Sequence, residues 1–115
     1  MTTKVEPWTL VDLAVLCHEN SRDHGFYDGY DMTNFKDISC KLALIHSEAT
    51  EVLEAVRKEK GSMEIVDEIS DILIRTLDLY AALVNAGVVT EDLDDALEYK
   101  MAKNKERPHM HGVLG

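Results

Sequence analysis

Two stretches, KLALIHSEATEVLEAVRK at residues 41–58 and DEISDILIRTLDLYAAL at residues 67–83, decide the fold because each repeats apolar residues at helical spacing. The helix predicted from the first carries an apolar stripe and ends before Gly61; the stripe consists of Ile38, Leu42, Ile45, Ala49, Val52 and Val56. The helix predicted from the second stops at Gly87; its apolar positions include Ile65, Ile69, Ile72, Leu73, Leu79 and Leu83. Two long helices joined by a short Gly-Ser break are therefore expected.

Two shorter helices are predicted on either side of this pair. Thr9 is the predicted N-cap of a first helix over roughly residues 10–24, which Gly25 interrupts. Thr90 is the predicted N-cap of a fourth helix, with acidic first turns and a basic end before Pro108, as the helix dipole favours. Short connections between the second, third and fourth helices predict antiparallel neighbours. We therefore expect one all-α domain over residues 1–115, a four-helix antiparallel bundle.

The composition narrows the class of protein. Acidic residues outnumber basic ones 22 to 12, and a net charge of −10 disfavours binding to a nucleic-acid polymer. The chain has no signal peptide and no apolar run of about eighteen residues, so no membrane association is expected. Two cysteines are too few for a disulfide framework, which fits a reduced compartment. A cytoplasmic protein is expected.

Two pairs of carboxylates lie against the apolar stripes. Glu48 follows Ile45 by three residues, and Glu51 follows Glu48 by three. On the next helix, Glu68 and Asp71 repeat the same spacing. Because burying an unpaired charge is costly, such acids are normally paired, neutralised or bound to a metal. Four carboxylates without a thiolate favour Mg²⁺, with Mn²⁺ as a possible substitute, and Mg²⁺ readily takes substrate phosphates as further ligands.

The acidic residues and the loop that precedes the second helix each suggest further kinds of site. The acids also fit a solvated helix face with ion pairs between neighbouring turns, and an isolated glutamate would favour that interpretation. A ferritin-like di-iron site needs Glu-x-x-His motifs, which these acids do not form. In the loop GFYDGYDMTN, a calcium site with Gly29 at its sixth position would need His24 and Phe35 as first and last ligands, which excludes it.

A basic face is predicted on the fourth helix. Its residues, at helical spacing, are Lys100, Lys103, Asn104 and Arg107. Such donors suit the outer oxygens of a triphosphate, although the helix dipole alone also favours basic residues at this end. The patch is therefore a candidate phosphate-binding surface.

These stretches resemble the MazG-like all-α nucleoside triphosphate pyrophosphohydrolases, relatives of the dimeric dUTPases. The resemblance rests on Glu48-x-x-Glu51, on Glu68-x-x-Asp71, on the ending EYKMAKNKERPHMHG with its Lys100, Asn104 and Arg107-Pro108, and on the loop SRDHGFYD. The family often reads EExxE where this chain has Ser47 in the first position. This departure leaves the number of metal ions open.

The resemblance implies Mg²⁺-dependent hydrolysis of a nucleoside or deoxynucleoside triphosphate between its α and β phosphates, in control of the nucleotide pool. It also implies a homodimer or homotetramer whose active sites are completed by neighbouring chains. Glu48 or Glu51 would accept the proton of the attacking water, and Asp78 would support the site. The candidate base-binding residues are His18, Asn20, Phe26 and Tyr27, with Trp8 as a further stacking surface.

A non-catalytic module is the competing hypothesis. In that case the chain would be an antitoxin-like or regulatory partner whose acidic stripe binds a basic surface. For an enzyme, the sequence does not choose among dUTP, dCTP, dGTP and modified nucleotides, because base selectivity comes from a few contacts.

Overall fold

The computed structural model describes residues 8–108 and shows four helices and, within those residues, no strand. The helices are α1 (Leu10–Asp23), α2 (Phe35–Arg57), α3 (Ser62–Asn85) and α4 (Leu93–Lys105). This confirms the prediction of an all-α protein with four helices. Within the described part of the chain, no helix is both long enough and apolar enough to cross a membrane.

The central helix is α3, which packs against α1 on one side and α2 on the other. It runs antiparallel to α1, because Val11 and Val84 line one crevice while His18 contacts Asp78 further along. It also runs antiparallel to α2, to which it is joined by a short turn. The small buried core lies near its C-terminal end and consists of Met32, Leu79 and Ala82, with Tyr27, Ile45, Leu83 and Ala86 packed around it.

The fourth helix does not pack along α3 as a regular bundle would require. Its main helix–helix contact is with α1, and none of its residues is buried. The Asp94 carboxylate accepts hydrogen bonds from the backbone amides of Leu10 at 2.8 Å and Val11 at 3.1 Å. A polar contact with the N-terminal end of α1 therefore helps to position α4. The short connection between α3 and α4 had predicted packing against α3 instead.

This contact completes the capping of α1. Thr9 is the N-cap, as predicted: its hydroxyl accepts from the Asp12 amide at 3.0 Å, and the Asp12 carboxylate accepts from the Thr9 amide in a capping box. The first amides of a helix have no partner within the helix. Here the amides of Leu10 and Val11 donate hydrogen bonds to the Asp94 carboxylate, so every amide in the first turn of α1 has a partner.

The prediction that Thr90 caps α4 is wrong. Asp92 is the N-cap, and its side chain accepts from the Asp95 amide at 3.0 Å. The Tyr80 hydroxyl donates to the Glu91 carbonyl and accepts from the Leu93 amide, which keeps the chain out of the helix until Leu93. Threonine and aspartate are both good N-caps. The hydrogen bonds of Tyr80 explain why the helix begins after Asp92 and not after Thr90.

The pair α2–α3 leaves much apolar surface uncovered. Leu42 and Val56, in the predicted apolar stripe of α2, are 46% and 52% exposed. Met63, Val66 and Leu73 of α3 are exposed as well. The radius of gyration is 16.5 Å, whereas a compact domain of this length has about 13 Å. The helices are thus too open for one chain to cover its own apolar faces.

We predict that Asp94→Ala destabilises the protein by about 1–2 kcal/mol, because it leaves two amides of α1 without a partner. Asp95→Ala is the matched control: it removes the same charge from the first turn of α4 without touching α1. Urea denaturation measures the free energy of unfolding of both variants. Equal losses would show that Asp94 acts only through the dipole of α4.

Candidate metal centre

Three carboxylates converge where α2 packs on α3. One oxygen from each of Glu48, Glu68 and Asp71 lies within 4.8 Å of the others, and all three side chains are half-buried. Glu68 and Asp71 are three residues apart on α3, so they point to the same side, and the antiparallel α2 presents Glu48 to them. The predicted ligand Glu51 is exposed and is not among the three. The three converging carboxylates are called the carboxylate cluster below.

The cluster concentrates negative charge. Desolvation raises the pKa of Glu68, and a hydrogen bond to Asp71 and the negative charges of Glu51, Asp71 and Glu64 raise it further. The proton is thus held more tightly because the ionised form meets repulsion from its neighbours. A bound cation would reverse this effect.

The donor set fits a hard divalent cation. All three groups offer carboxylate oxygens, and none is a thiolate or an imidazole, which favours Mg²⁺ or Mn²⁺ over Zn²⁺. Because the side chains are only half-buried, water or phosphate oxygens can complete the coordination. The chemistry of the donors therefore supports a hard cation at this site.

The structure adds Arg75, which the sequence analysis missed. It lies one turn after Asp71 on α3, and its Nε donates to Glu48 Oε1 at 3.2 Å. Glu48 is 17% exposed and Arg75 32% exposed at the side chain. Its spacing of four residues from Asp71 could have indicated that it lies on the same face of α3. Its partner Glu48, however, is distant in the sequence.

Next to the cluster, a buried polar network surrounds Asp78. Its carboxylate accepts from the Ser21 hydroxyl at 2.6 Å and lies 2.9 Å from His18 Nδ1. Nδ1 is thus the ring nitrogen that faces Asp78, and Nε2 is the nitrogen left for another partner. Burial raises the pKa of Tyr27, and the charge of Asp78 and a hydrogen bond to it raise it further, so the Tyr27 hydroxyl stays a donor.

The candidate base-binding residues differ in their burial. His18 is buried and lines a cavity of about 240 Å³, whose other lining residues are Val15, Glu19, Arg22, Ala81 and Asn85. Tyr27 is half-buried, and its ring meets that of His18 edge-on with centroids 4.7 Å apart. Asn20 is exposed, and Phe26 and Trp8 are about half exposed. The structure brings together only His18 and Tyr27.

Lys41 is a second residue that the sequence analysis missed. It is only 7% exposed, and its Nζ donates to the Phe26 carbonyl. The same nitrogen lies 4.2 Å from the ring centroid of Tyr27 and 3.9 Å from that of Tyr30, a cation–π geometry. Burial lowers the pKa of Lys41, partly offset by the charge of Asp78. Lys41 thus fastens the loop between α1 and α2 to α2.

The predicted phosphate-binding residues remain apart from the cluster. All four lie exposed on α4 or just after it; they are Lys100, Lys103, Asn104 and Arg107. The main contact of α4 is with α1, and within the described residues this basic face forms no ion pair with the carboxylate cluster.

Comparison with known proteins adds one match. A family model described as the MazG nucleotide pyrophosphohydrolase domain matches residues 37–111, which is more than half of the chain. The matched segment holds the carboxylate cluster, Arg75 and the basic face of α4. No curated protein and no solved structure matched the chain.

We predict that Mg²⁺ or Mn²⁺ at about 100 times its dissociation constant stabilises the protein by about 2.7 kcal/mol, measured as a rise in Tm of several degrees. Glu68→Gln should abolish this rise, and should itself raise the Tm without cation because it relieves repulsion. Asp67→Asn removes one charge from the adjacent exposed position and should keep the response. An equal loss in Asp67→Asn would mean that net charge, and not the cluster, binds the ion.

Proposed function

The chain belongs to the MazG nucleotide pyrophosphohydrolase domain family, and from this we propose that it hydrolyses a nucleoside or deoxynucleoside triphosphate to the monophosphate and pyrophosphate. The single observation that carries the proposal is the convergence of Glu48, Glu68 and Asp71 inside the matched segment. Mg²⁺ is the proposed cofactor, with Mn²⁺ as a substitute. Control of the nucleotide pool is the proposed role.

In this proposal Glu48, Glu68 and Asp71 would hold the cation. When bound, the cation would neutralise phosphate charge and lower the pKa of a coordinated water. Glu51 is the better of the two candidate bases, because Glu48 already contacts Arg75 and belongs to the cluster. Glu51 lies nearly one turn further along α2, is exposed, and is close enough to influence Glu68. It accepts the proton as the water attacks phosphorus and pyrophosphate leaves.

The proposed base site is the surroundings of His18. Asp78, which holds His18, lies seven residues after Asp71 on α3, a rise of about 10 Å along the helix. This separation suits a nucleotide whose phosphates lie at the cluster. Nε2 of His18 is the ring nitrogen available to hydrogen-bond the base, and the Tyr27 ring meets the imidazole edge-on.

We further propose that the protein is a homodimer or homotetramer with shared sites. Among the described residues, the basic face of α4 forms no ion pair with the carboxylate cluster of its own chain, and a neighbouring chain would supply it. The exposed apolar side chains of α2 and α3 offer the surface for such an assembly, and they lie on the same two helices as the cluster.

We predict that Glu51→Gln lowers kcat by about 10²–10⁴-fold, because the attacking water loses its proton acceptor. Pyrophosphate release from a panel of dUTP, dCTP, dGTP and modified nucleotides measures this. Glu54→Gln is the control: it lies one turn further on α2 and forms surface ion pairs with Arg57 and Lys58, so its activity should stay near that of the wild type. If no nucleotide gives pyrophosphate above the Glu51→Gln background, the non-catalytic acidic module is the better hypothesis.

Shared sites predict complementation between two inactive variants. Glu51→Gln mixed with a Lys100→Gln, Lys103→Gln double variant should recover about a quarter of the wild-type activity. In a dimer, half of the molecules are then mixed, and one of the two sites in each is intact. Light scattering on the same samples gives the oligomeric state. A stable, fully active monomer would contradict the shared site.

A further inference from the structure

Arg75 occupies a position that the proposed mechanism does not yet use. Its contact with Glu48 joins α3 to α2 at the edge of the carboxylate cluster, with 3.2 Å between Nε and Oε1. Among residues 8–108, it is the only basic side chain that forms an ion pair with a carboxylate of the cluster. In the absence of a cation, Arg75 therefore offsets part of the negative charge collected there.

Arg75 and a divalent cation compete for Glu48. The carboxylate oxygen that Arg75 contacts belongs to one of the three groups that would hold the ion. A cation at the cluster would draw that carboxylate towards itself and would also repel the guanidinium. Binding of the cation therefore weakens the contact between Arg75 and Glu48.

A released guanidinium would be well placed for phosphate. It has five donors in a planar fork, and in the described part of the chain only Nε forms a hydrogen bond. The other nearby cation is committed elsewhere, since Lys41 is buried between the Phe26 carbonyl and two tyrosine rings. Arg75 is thus the positive group at the edge of the cluster that can turn to a ligand.

We propose that Arg75 is a phosphate-binding residue that Glu48 holds beside the metal site until the ligand arrives. When a divalent cation and a polyphosphate bind together, the guanidinium moves from the Glu48 carboxylate to phosphate oxygens. The identity of the ligand as a nucleotide rests on the proposed function. The exchange of partners itself needs only a cation and a pyrophosphate group.

This exchange predicts effects of opposite sign for the two ligands. Without Arg75, Glu48 is free and one positive charge is gone, so Mg²⁺ alone should bind more tightly. Pyrophosphate in the presence of Mg²⁺ should bind more weakly, because it loses charge-assisted hydrogen bonds. A merely structural arginine would weaken both ligands together.

Calorimetric titration of the full chain tests this, first with MgCl₂ alone and then with pyrophosphate at saturating Mg²⁺. For Arg75→Gln we expect roughly two- to fivefold tighter Mg²⁺ binding and about tenfold or more weaker pyrophosphate binding. Arg75→Lys should recover part of the pyrophosphate affinity, because lysine keeps the charge but not the fork. Arg57→Gln is the matched control: it breaks an exposed pair with Glu54 and should leave both affinities within about twofold.

Three results would overturn the proposal: weaker Mg²⁺ binding by Arg75→Gln, unchanged pyrophosphate binding by that variant, or no pyrophosphate binding by the wild type. If Arg75→Gln does not fold, as judged by circular dichroism, Arg75→Lys decides, since smaller changes of the same signs are expected. The hydrolysis assay tests the proposed function separately. A chain that hydrolyses no triphosphate but shows the two opposite effects would lose the proposed activity and keep this role of Arg75.

Discussion

Repulsion among the carboxylates of Glu48, Glu68 and Asp71 is the constraint on which the centre of this protein depends. Antiparallel packing of α2 on α3 forces these groups within 4.8 Å of one another, and half-burial weakens the screening that water would provide. One guanidinium, from Arg75, offsets this charge only in part. In the proposed function, the remaining negative potential would attract a divalent cation, and relief of the repulsion would add to the free energy of binding.

The rest of the polar interior holds the two helices in this arrangement. Asp78 continues the face of α3 that carries Asp71, and it joins α1 through His18 and Ser21. Lys41 on α2 is fastened to the loop that follows α1. These contacts replace a large apolar core, which in the described residues is limited to a few side chains. Polar contacts have directional geometry, so they fix the rotation of each helix and hence the direction of its carboxylates.

The sequence was most informative where structure follows from local spacing. The helices and the convergence of Glu48 with Asp71 follow from apolar periodicity and a short turn. The sequence was least informative where one residue depends on another far along the chain. Arg75 pairs with a glutamate 27 residues away, and Asp94 caps α1 across 84 residues. The cap of α4 fell at Asp92 because a tyrosine of α3 holds the preceding turn.

Two contacts hold the start of α4, and together they limit how the chain length can vary at this point. The Tyr80 hydroxyl forms hydrogen bonds with the backbone of Glu91 and Leu93. One residue later, Asp94 accepts a hydrogen bond from the first turn of α1. A single inserted residue after Leu93 would rotate Asp94 by about 100° around α4 and separate these two contacts. The turn between α2 and α3, at residues 58–61, has exposed side chains and carries no such double hold. Insertions and deletions during evolution should therefore accumulate at that turn and be purged from the start of α4.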